Sequence, residues 1–292
     1  MKIECRNLKK NYKAKEVLQG VNLTLEKGKI YGLIGRNGAG KTMLLSILSA
    51  QNPVSSGQLL LDGEPIWENA EALSHIYFAR EIITSANSNS GGLKVKEYLN
   101  MAASYLPHWD KEMAERLVKL FHLEPKQRLI KLSKGMVSML GAVTALASKA
   151  DFTFLDEPVS GLDVVAREQF YQLLLEEFTE TGRTFVISTH IIEEAADIFE
   201  EVIFLHHGKI ILKENTQELL EETVYVSGRA ETVDAVIQGK EIYKPKTLGR
   251  SKSVLVRLQE GEILNQKEGI TIQPVNLQKI FVSLCRVVST EL

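Results

Sequence analysis

The sequence predicts an α/β protein built on a parallel sheet, with a smaller mixed α+β domain appended after residue 222. Three observations carry this. The apolar runs "KIYGLI" (29–34), "FTFLDE" (152–157) and "TFVIST" (184–189) read as strands buried on both faces. Stretches with a helical period lie between them, and such alternation marks a parallel sheet covered by helices. Beyond 222, "TVYVSG", "SVLVRLQ" and "GITIQP" alternate apolar with polar residues, as half-buried antiparallel strands do.

In order, short β-like runs open the chain at 2–6 and 21–25. After "KIYGLI" comes "GRNGAGKT", then "MLLSILSA", whose apolar residues suit a helix packed into a core. Residues 92–127 read as helical, broken around "YLPHWD"; Met113, Leu117, Leu120 and Phe121 keep close to a 3.6 period. A further helix face follows at Met136, Met139, Leu140, Val143, Leu146 and Ala147. Another helix is expected at 164–178, and "VIFLHHGKIIL" is expected to turn as a hairpin at "HHG". In the appended part, helices are expected at 231–238 and 276–288.

Charge and composition narrow the function. A formal net charge of −2 supplies no global basic field for nucleic acid, so no nucleic-acid partner is expected. The two cysteines, Cys5 and Cys285, stand at opposite ends without metal-ligand spacing and read as small buried apolar residues of a reducing cytosol. The start "MKIECRNLKK" has no apolar h-region, and no apolar run approaches the ~18 residues a spanning helix needs. If the protein works at a membrane, another chain does the spanning.

"GRNGAGKT" fits G-x-x-x-x-G-K-[ST] and stands between a strand and a helix, the context that gives the pattern meaning. The segment is Gly35, Arg36, Asn37, Gly38, Ala39, Gly40, Lys41 and Thr42. Its backbone N–H groups and the helix N-terminus suit phosphate oxygens. Lys41 is expected at the β- and γ-phosphates and Thr42 at Mg²⁺. Asp156 and Glu157 end a buried strand where a second magnesium-holding carboxylate belongs. Adjacent strand residues point to opposite sides, so the two need not share a task. Asp156 is expected to hold Mg²⁺, and Glu157 to polarise the attacking water as a general base. "LSKGM" (132–136) reads on its own either as a plain helix start capped by Ser133 or as an altered phosphate-sensing segment.

Taken in order, "GRNGAGKT", "LSKGM", "FLDEP", "SGLD" and "STH" resemble an ABC-type ATPase, the nucleotide-binding subunit of ABC transporters, over residues 1 to about 220. The resemblance implies the P-loop NTPase fold of that family: a RecA-like core, an antiparallel β subdomain and an α-helical subdomain at about 80–148. The ATPase domain would then cover 1–222 and an accessory α+β domain 223–292. It further implies that two copies, identical or different, pair head to tail and sandwich two ATP molecules. They would sit on the cytoplasmic face of the membrane and drive a transmembrane permease subunit. Within the resemblance, Ser133, Lys134 and Gly135 belong to the signature that faces the other subunit's ATP, with Lys134 and Met136 where glycine and glutamine are usual. Tyr12 matches the adenine-stacking aromatic, although by itself it could equally cover a sheet edge. Asp163 matches the loop joining the two ATP sites, and His190 the histidine at the γ-phosphate. The loop glutamine that contacts Mg²⁺ and couples to the membrane domain is replaced in "HIYFAREIIT" by Arg80 or Glu81, of which only Glu81 can ligate the ion. The SKGM form resembles bacitracin-resistance-type and related Gram-positive peptide exporter ATPases. Such exporters carry peptides, antibiotics or amphipathic toxins. A weakly hydrolysing regulatory subunit and a non-transport ABC ATPase are the alternatives.

Overall fold

A computed structural model describes residues 1–12, 15–84, 92–259, 261–264 and 268–288. The chain divides into two compact units, residues 1–190 with 205–210, and residues 191–204 with 211–292.

The elements of the first unit are, in order, β1 (Lys2–Tyr12), β2 (Lys15–Glu26), β3 (Ile30–Ile34), α1 (Lys41–Leu48), β4 (Ser56–Leu61), β5 (Glu64–Pro65), α2 (Ala70–Ser74), β6 (Ile76–Ala79), α3 (Val95–Tyr105), α4 (Lys111–Leu120), α5 (Lys134–Ala147), β7 (Phe152–Asp156), α6 (Val164–Thr181) and β8 (Thr184–Thr189). Strands β3, β8, β7 and β6 lie side by side in that order and all parallel. Every residue of β3 and β8 is buried, which accounts for their unbroken apolar texture. Phe152, Phe154 and Phe185 are fully covered.

A separate antiparallel sheet has the order β2-β1-β4-β5. β1 and β2 run well beyond the stretches 2–6 and 21–25, because their pairing continues through register shifts to Tyr12 and Lys15. The polar run Lys9–Asn11 hides this extension from any test of alternation.

The helices α3, α4 and α5 occupy the span expected to be helical. Asp110 caps α4 by accepting from Met113 N at 2.9 Å, and Ser133 caps α5 by accepting from Met136 N at 3.2 Å. Asp163 caps α6, whose C-terminal end closes on Gly182 with φ 62°. Buried Glu177 of α6 holds Lys149 at 2.8 Å and Arg183 at 3.4 Å, tying the end of α5 to the start of β8. Burial pushes the Cys5 thiol up to about 12, and both cysteines are buried, as expected of small apolar residues.

The remaining elements are α7 (Ile192–Ala195), β9 (Glu201–His206), β10 (Lys209–Asn215), α8 (Thr216–Glu221), β11 (Thr223–Arg229), α9 (Ala230–Ile237), β12 (Glu241–Leu248), β13 (Ser251–Arg257), β14 (Ile270–Pro274) and α10 (Leu277–Val288). The turn between β9 and β10 falls at His207–Gly208, as "HHG" suggested, and groups with the first unit. The second unit has an antiparallel sheet of order β12-β13-β11-β14, with Val226, Val233, Ile237, Val254 and Val256 in its core. Its grouping does not start at residue 222. Arg257 binds Glu222 at 2.7 Å and Glu214 at 2.6 Å, and Thr216 N donates to Glu200 O at 2.9 Å. These bonds draw 191–204 and 211–222 to the later residues. Strand β12 was not foreseen, since "EIYKPKTL" contains a proline and no sustained alternation. Among the described residues, no helix is long and apolar enough to cross a membrane.

Candidate active site

Strand β3 is buried and ends at Ile34, and the next six residues turn the chain into α1. The turn needs its glycines. A Cβ on Gly35 would lie 2.7 Å from Leu205 O, and Gly40 takes φ 108° at the N-cap of α1. Gly208 N donates to Ala39 O at 3.0 Å, which anchors the loop from its other side. Arg36, Asn37 and Gly38 are exposed at its tip.

Lys41 is 7% exposed, its Nζ donating to Gly35 O at 2.7 Å and standing 3.5 Å from Glu157 Oε1. The next residue, Thr42, donates from Oγ1 to Asp156 Oδ2 at 2.7 Å. The other oxygen, Asp156 Oδ1, accepts from Ser188 Oγ at 2.5 Å. Ser188 also takes the backbone N–H of Glu157, at 3.1 Å on its carbonyl and 3.2 Å on its hydroxyl. These bonds hold Glu157 at φ 49°, a left-handed conformation that side chains other than glycine seldom adopt. The Glu157 carboxylate then faces His190, with Oε2 at 2.7 Å from Nδ1.

Lys41, Thr42, Asp156, Glu157 and His190 are therefore gathered at the carboxyl ends of adjacent parallel strands, from segments 114 residues apart. Ligands of open α/β sheets bind at that edge. Ser188 was not singled out from the sequence; its only signal was its place at the end of a buried strand, two residues before His190.

The other expected residues come from other segments of the first unit. Tyr12 is 47% exposed, bonded from its hydroxyl to Asn52 Oδ1 at 3.4 Å and capped by Lys10 Nζ 4.9 Å from the ring centroid. Ser133 and Lys134 are exposed at the start of α5. A Cβ on Gly135 would lie 2.9 Å from Gly161 O, while one on Gly161 would meet Lys134 Cγ at 2.8 Å. With Ser138 Oγ donating to Ser160 O at 2.6 Å, the signature helix is sewn to the "SGLD" turn of its own chain. Asp163 accepts from Ala166 N at 2.9 Å and so serves at least as a helix cap. Glu81 lines a cavity of about 230 Å³ whose wall also includes Lys134, Asp156 and Glu157. Arg80 lines it as well. Beside the loop, burial and then the charges of His207 and Arg36 hold His206 below the usual histidine range.

A glycine loop feeding a helix N-terminus, with a hydroxyl and a strand-end carboxylate hydrogen-bonded beside it, defines a P-loop nucleoside triphosphatase. Comparison with known proteins refines that class. The family model described as ABC transporter matches residues 18–160. The chain is 27% identical over 287 residues to the ABC transporter ATP-binding protein YtrB of Bacillus subtilis (strain 168), covering 96% of this chain and 97% of that one. It is 31% identical over 219 residues to the bacitracin transport ATP-binding protein BcrA of Enterococcus faecalis, covering 74% and 70%. A solved ATP-binding cassette, a dimer in a post-hydrolysis state bound to ADP and Pi, superposes with a TM-score of 0.62 at 22% identity, covering 73% of this chain and 98% of that one. The chain belongs to the ABC transporter ATP-binding family, and the fold that the ordered motifs implied is the fold observed.

Proposed function

We propose that this protein is the ATP-hydrolysing subunit of an ABC exporter, working as a dimer on the cytoplasmic face of the membrane beneath a separate permease subunit. The observation that carries the reading is the convergence of Lys41, Thr42, Asp156, Glu157 and His190 at one strand edge.

The loop N–H groups and the start of α1 bind the triphosphate, and Lys41 exchanges Gly35 O and Glu157 for β- and γ-phosphate oxygens. Thr42 and Asp156 present a hydroxyl and a carboxylate within hydrogen-bond distance, the hard oxygen donors that suit Mg²⁺. When bound there, Mg²⁺ offsets the charge on the β- and γ-phosphates. Glu157, oriented by Ser188 and His190, accepts the proton of the attacking water. The water oxygen bonds to the γ-phosphorus while the bond to the β–γ bridging oxygen breaks, giving ADP and phosphate. Tyr12 covers the adenine. Ser133, Lys134, Gly135 and Asp163 act across the dimer, where Lys134 places a cation near the partner's ATP. Whether the partner is an identical or a different ATPase chain does not alter this chemistry.

Peptides, antibiotics or amphipathic toxins are the proposed cargo class, supported by the bacitracin-transport relative. A second reading, a slowly hydrolysing regulatory subunit, is favoured by one observation: Glu81 shares a cavity wall with Asp156 and Glu157, adding a third carboxylate.

Phosphate release by the purified chain with MgATP tests the proposal, with Lys41→Ala beside it. The wild type is expected to turn over ATP, and the variant to lose both nucleotide binding and turnover. A wild-type chain that binds ATP without hydrolysing it supports the regulatory reading, and one that does not bind ATP overturns both. Co-purification with a multi-span membrane protein tests the permease.

A further inference from the structure

Strand β1 carries a buried charge that the hydrolytic chemistry does not use. Lys10 is 7% exposed. Its Nζ donates to Pro53 O at 2.7 Å and lies over the Tyr12 ring, 4.9 Å from the centroid. Among the described residues no carboxylate pairs with it. Buried charges are normally matched by an opposite charge. Here the negative face of the aromatic ring takes that place, an attraction that strengthens as water is excluded.

The contact supports a ring that has few others. Tyr12 ends β1 and remains half-exposed, so an unsupported side chain there would exchange among rotamers. The support is tied to α1. Asn52, next to Pro53, accepts from the Tyr12 hydroxyl at 3.4 Å and donates to Ser46 Oγ of α1 at 3.0 Å. Ser55 N donates to Lys9 O at 2.9 Å, and Asn11 N to Ser55 Oγ at 2.9 Å, closing the same segment onto β1. Since α1 begins in the glycine loop at Lys41, one eight-residue helix sets the reach from that loop to the ring.

We propose that Lys10 is the positioning residue of the adenine site: it holds one face of the Tyr12 ring and leaves the opposite face for the base. The inference rests on the reading that Tyr12 covers the adenine, and adds the group that readies the ring. Lys10 acts through Tyr12, its ammonium being occupied by Pro53 O and the ring. It therefore lowers the ordering cost of base binding and contributes neither to phosphate binding nor to bond cleavage.

Titration of the full chain with ADP and with pyrophosphate, which lacks the base, tests the proposal beside steady-state phosphate release with MgATP. Lys10→Met keeps the stem and removes the charge. It is expected to weaken ADP by about three- to tenfold and to raise KM for ATP by the same factor. The kcat and the pyrophosphate affinity are expected to stay within about twofold of wild type. Lys10→Gln, which keeps a donor for Pro53 O and so disturbs the fold less, is expected to shift ADP in the same direction. Lys10→Arg, which keeps the charge, is expected to recover most of the loss. In a Tyr12→Ala background, Lys10→Met is expected to cost nothing further. Wild-type ADP affinity in Lys10→Met and Lys10→Gln, where Tyr12→Ala weakens ADP, overturns the proposal and leaves adenine stacking in place. Equal loss of ADP and pyrophosphate, or a full loss that persists without Tyr12, does the same. Wild-type ADP affinity in Tyr12→Ala removes the stacking and the proposal together.

Discussion

Glu157 Oε2 and His190 Nδ1 stand 2.7 Å apart, each residue lying one position beyond the end of its strand in a neighbouring parallel pair. Because β7 and β8 are in register, with Asp156 opposite Ser188, the backbone brings these two side chains together without help from a loop. The remaining precision comes from Ser188, which holds the Glu157 N–H and so the left-handed turn that aims the carboxylate.

His190→Ala should leave ATP affinity close to wild type and lower turnover by about 10²-fold, the scale of a catalytic group misplaced by an ångström. His190→Gln, which keeps a side-chain donor, should recover part of the loss. Steady-state phosphate release alongside nucleotide titration separates the two effects; an unchanged rate in His190→Ala would remove the histidine from the account.

Glu81 is expected to act toward the metal through the cavity it shares with Asp156. Glu81→Ala should raise the Mg²⁺ concentration for half-maximal turnover several-fold, and Glu81→Gln should raise it less. If both variants keep the wild-type Mg²⁺ profile, Glu81 has no part in metal binding.

The seam between the signature helix and the "SGLD" turn should be intolerant of even one methyl group. In Gly135→Ala the new Cβ would meet Gly161 O at 2.9 Å, a backbone atom that cannot move alone. Overpacking of this kind costs about 1–3 kcal/mol. Denaturant unfolding should show that loss, and turnover should fall by more than ATP binding does. Wild-type stability would mean that the seam is looser than its geometry.

Asp151 sets an acid limb on stability. Burial pushes its carboxyl up, but hydrogen bonds from Lys27 and His75, the latter at 2.6 Å, together outweigh this and hold it below the usual carboxylate range. A depressed folded value stabilises the chain above the unfolded value of about 3.9, and the contribution is lost as pH falls through the folded one. The thermal midpoint of the wild type should therefore drop more steeply below about pH 4 than that of Asp151→Asn. Parallel acid limbs would contradict this.

Much of the ATPase architecture could be read from the chain because its signals are local. "GRNGAGKT" combines glycine geometry with a strand before and a helix after, and "FTFLDE" carries both burial and the carboxylates in one run. What escaped reading depends on contacts far apart in sequence. The role of Ser188 exists only through its pairing across β7 and β8. The stem of Lys134 over Gly161 needs the fold that brings the two together. The second unit takes in residues before 222 through Arg257, whose partners Glu214 and Glu222 look like ordinary surface charges in the sequence.

The central claim is that Glu157 takes the proton from water during ATP hydrolysis, and Glu157→Gln tests it most directly. Phosphate release and the association state should be measured together with MgATP. The account predicts that the variant binds ATP, that its turnover falls by about 10²–10⁴-fold, and that an ATP-bound dimer accumulates. Wild-type turnover in Glu157→Gln would contradict it.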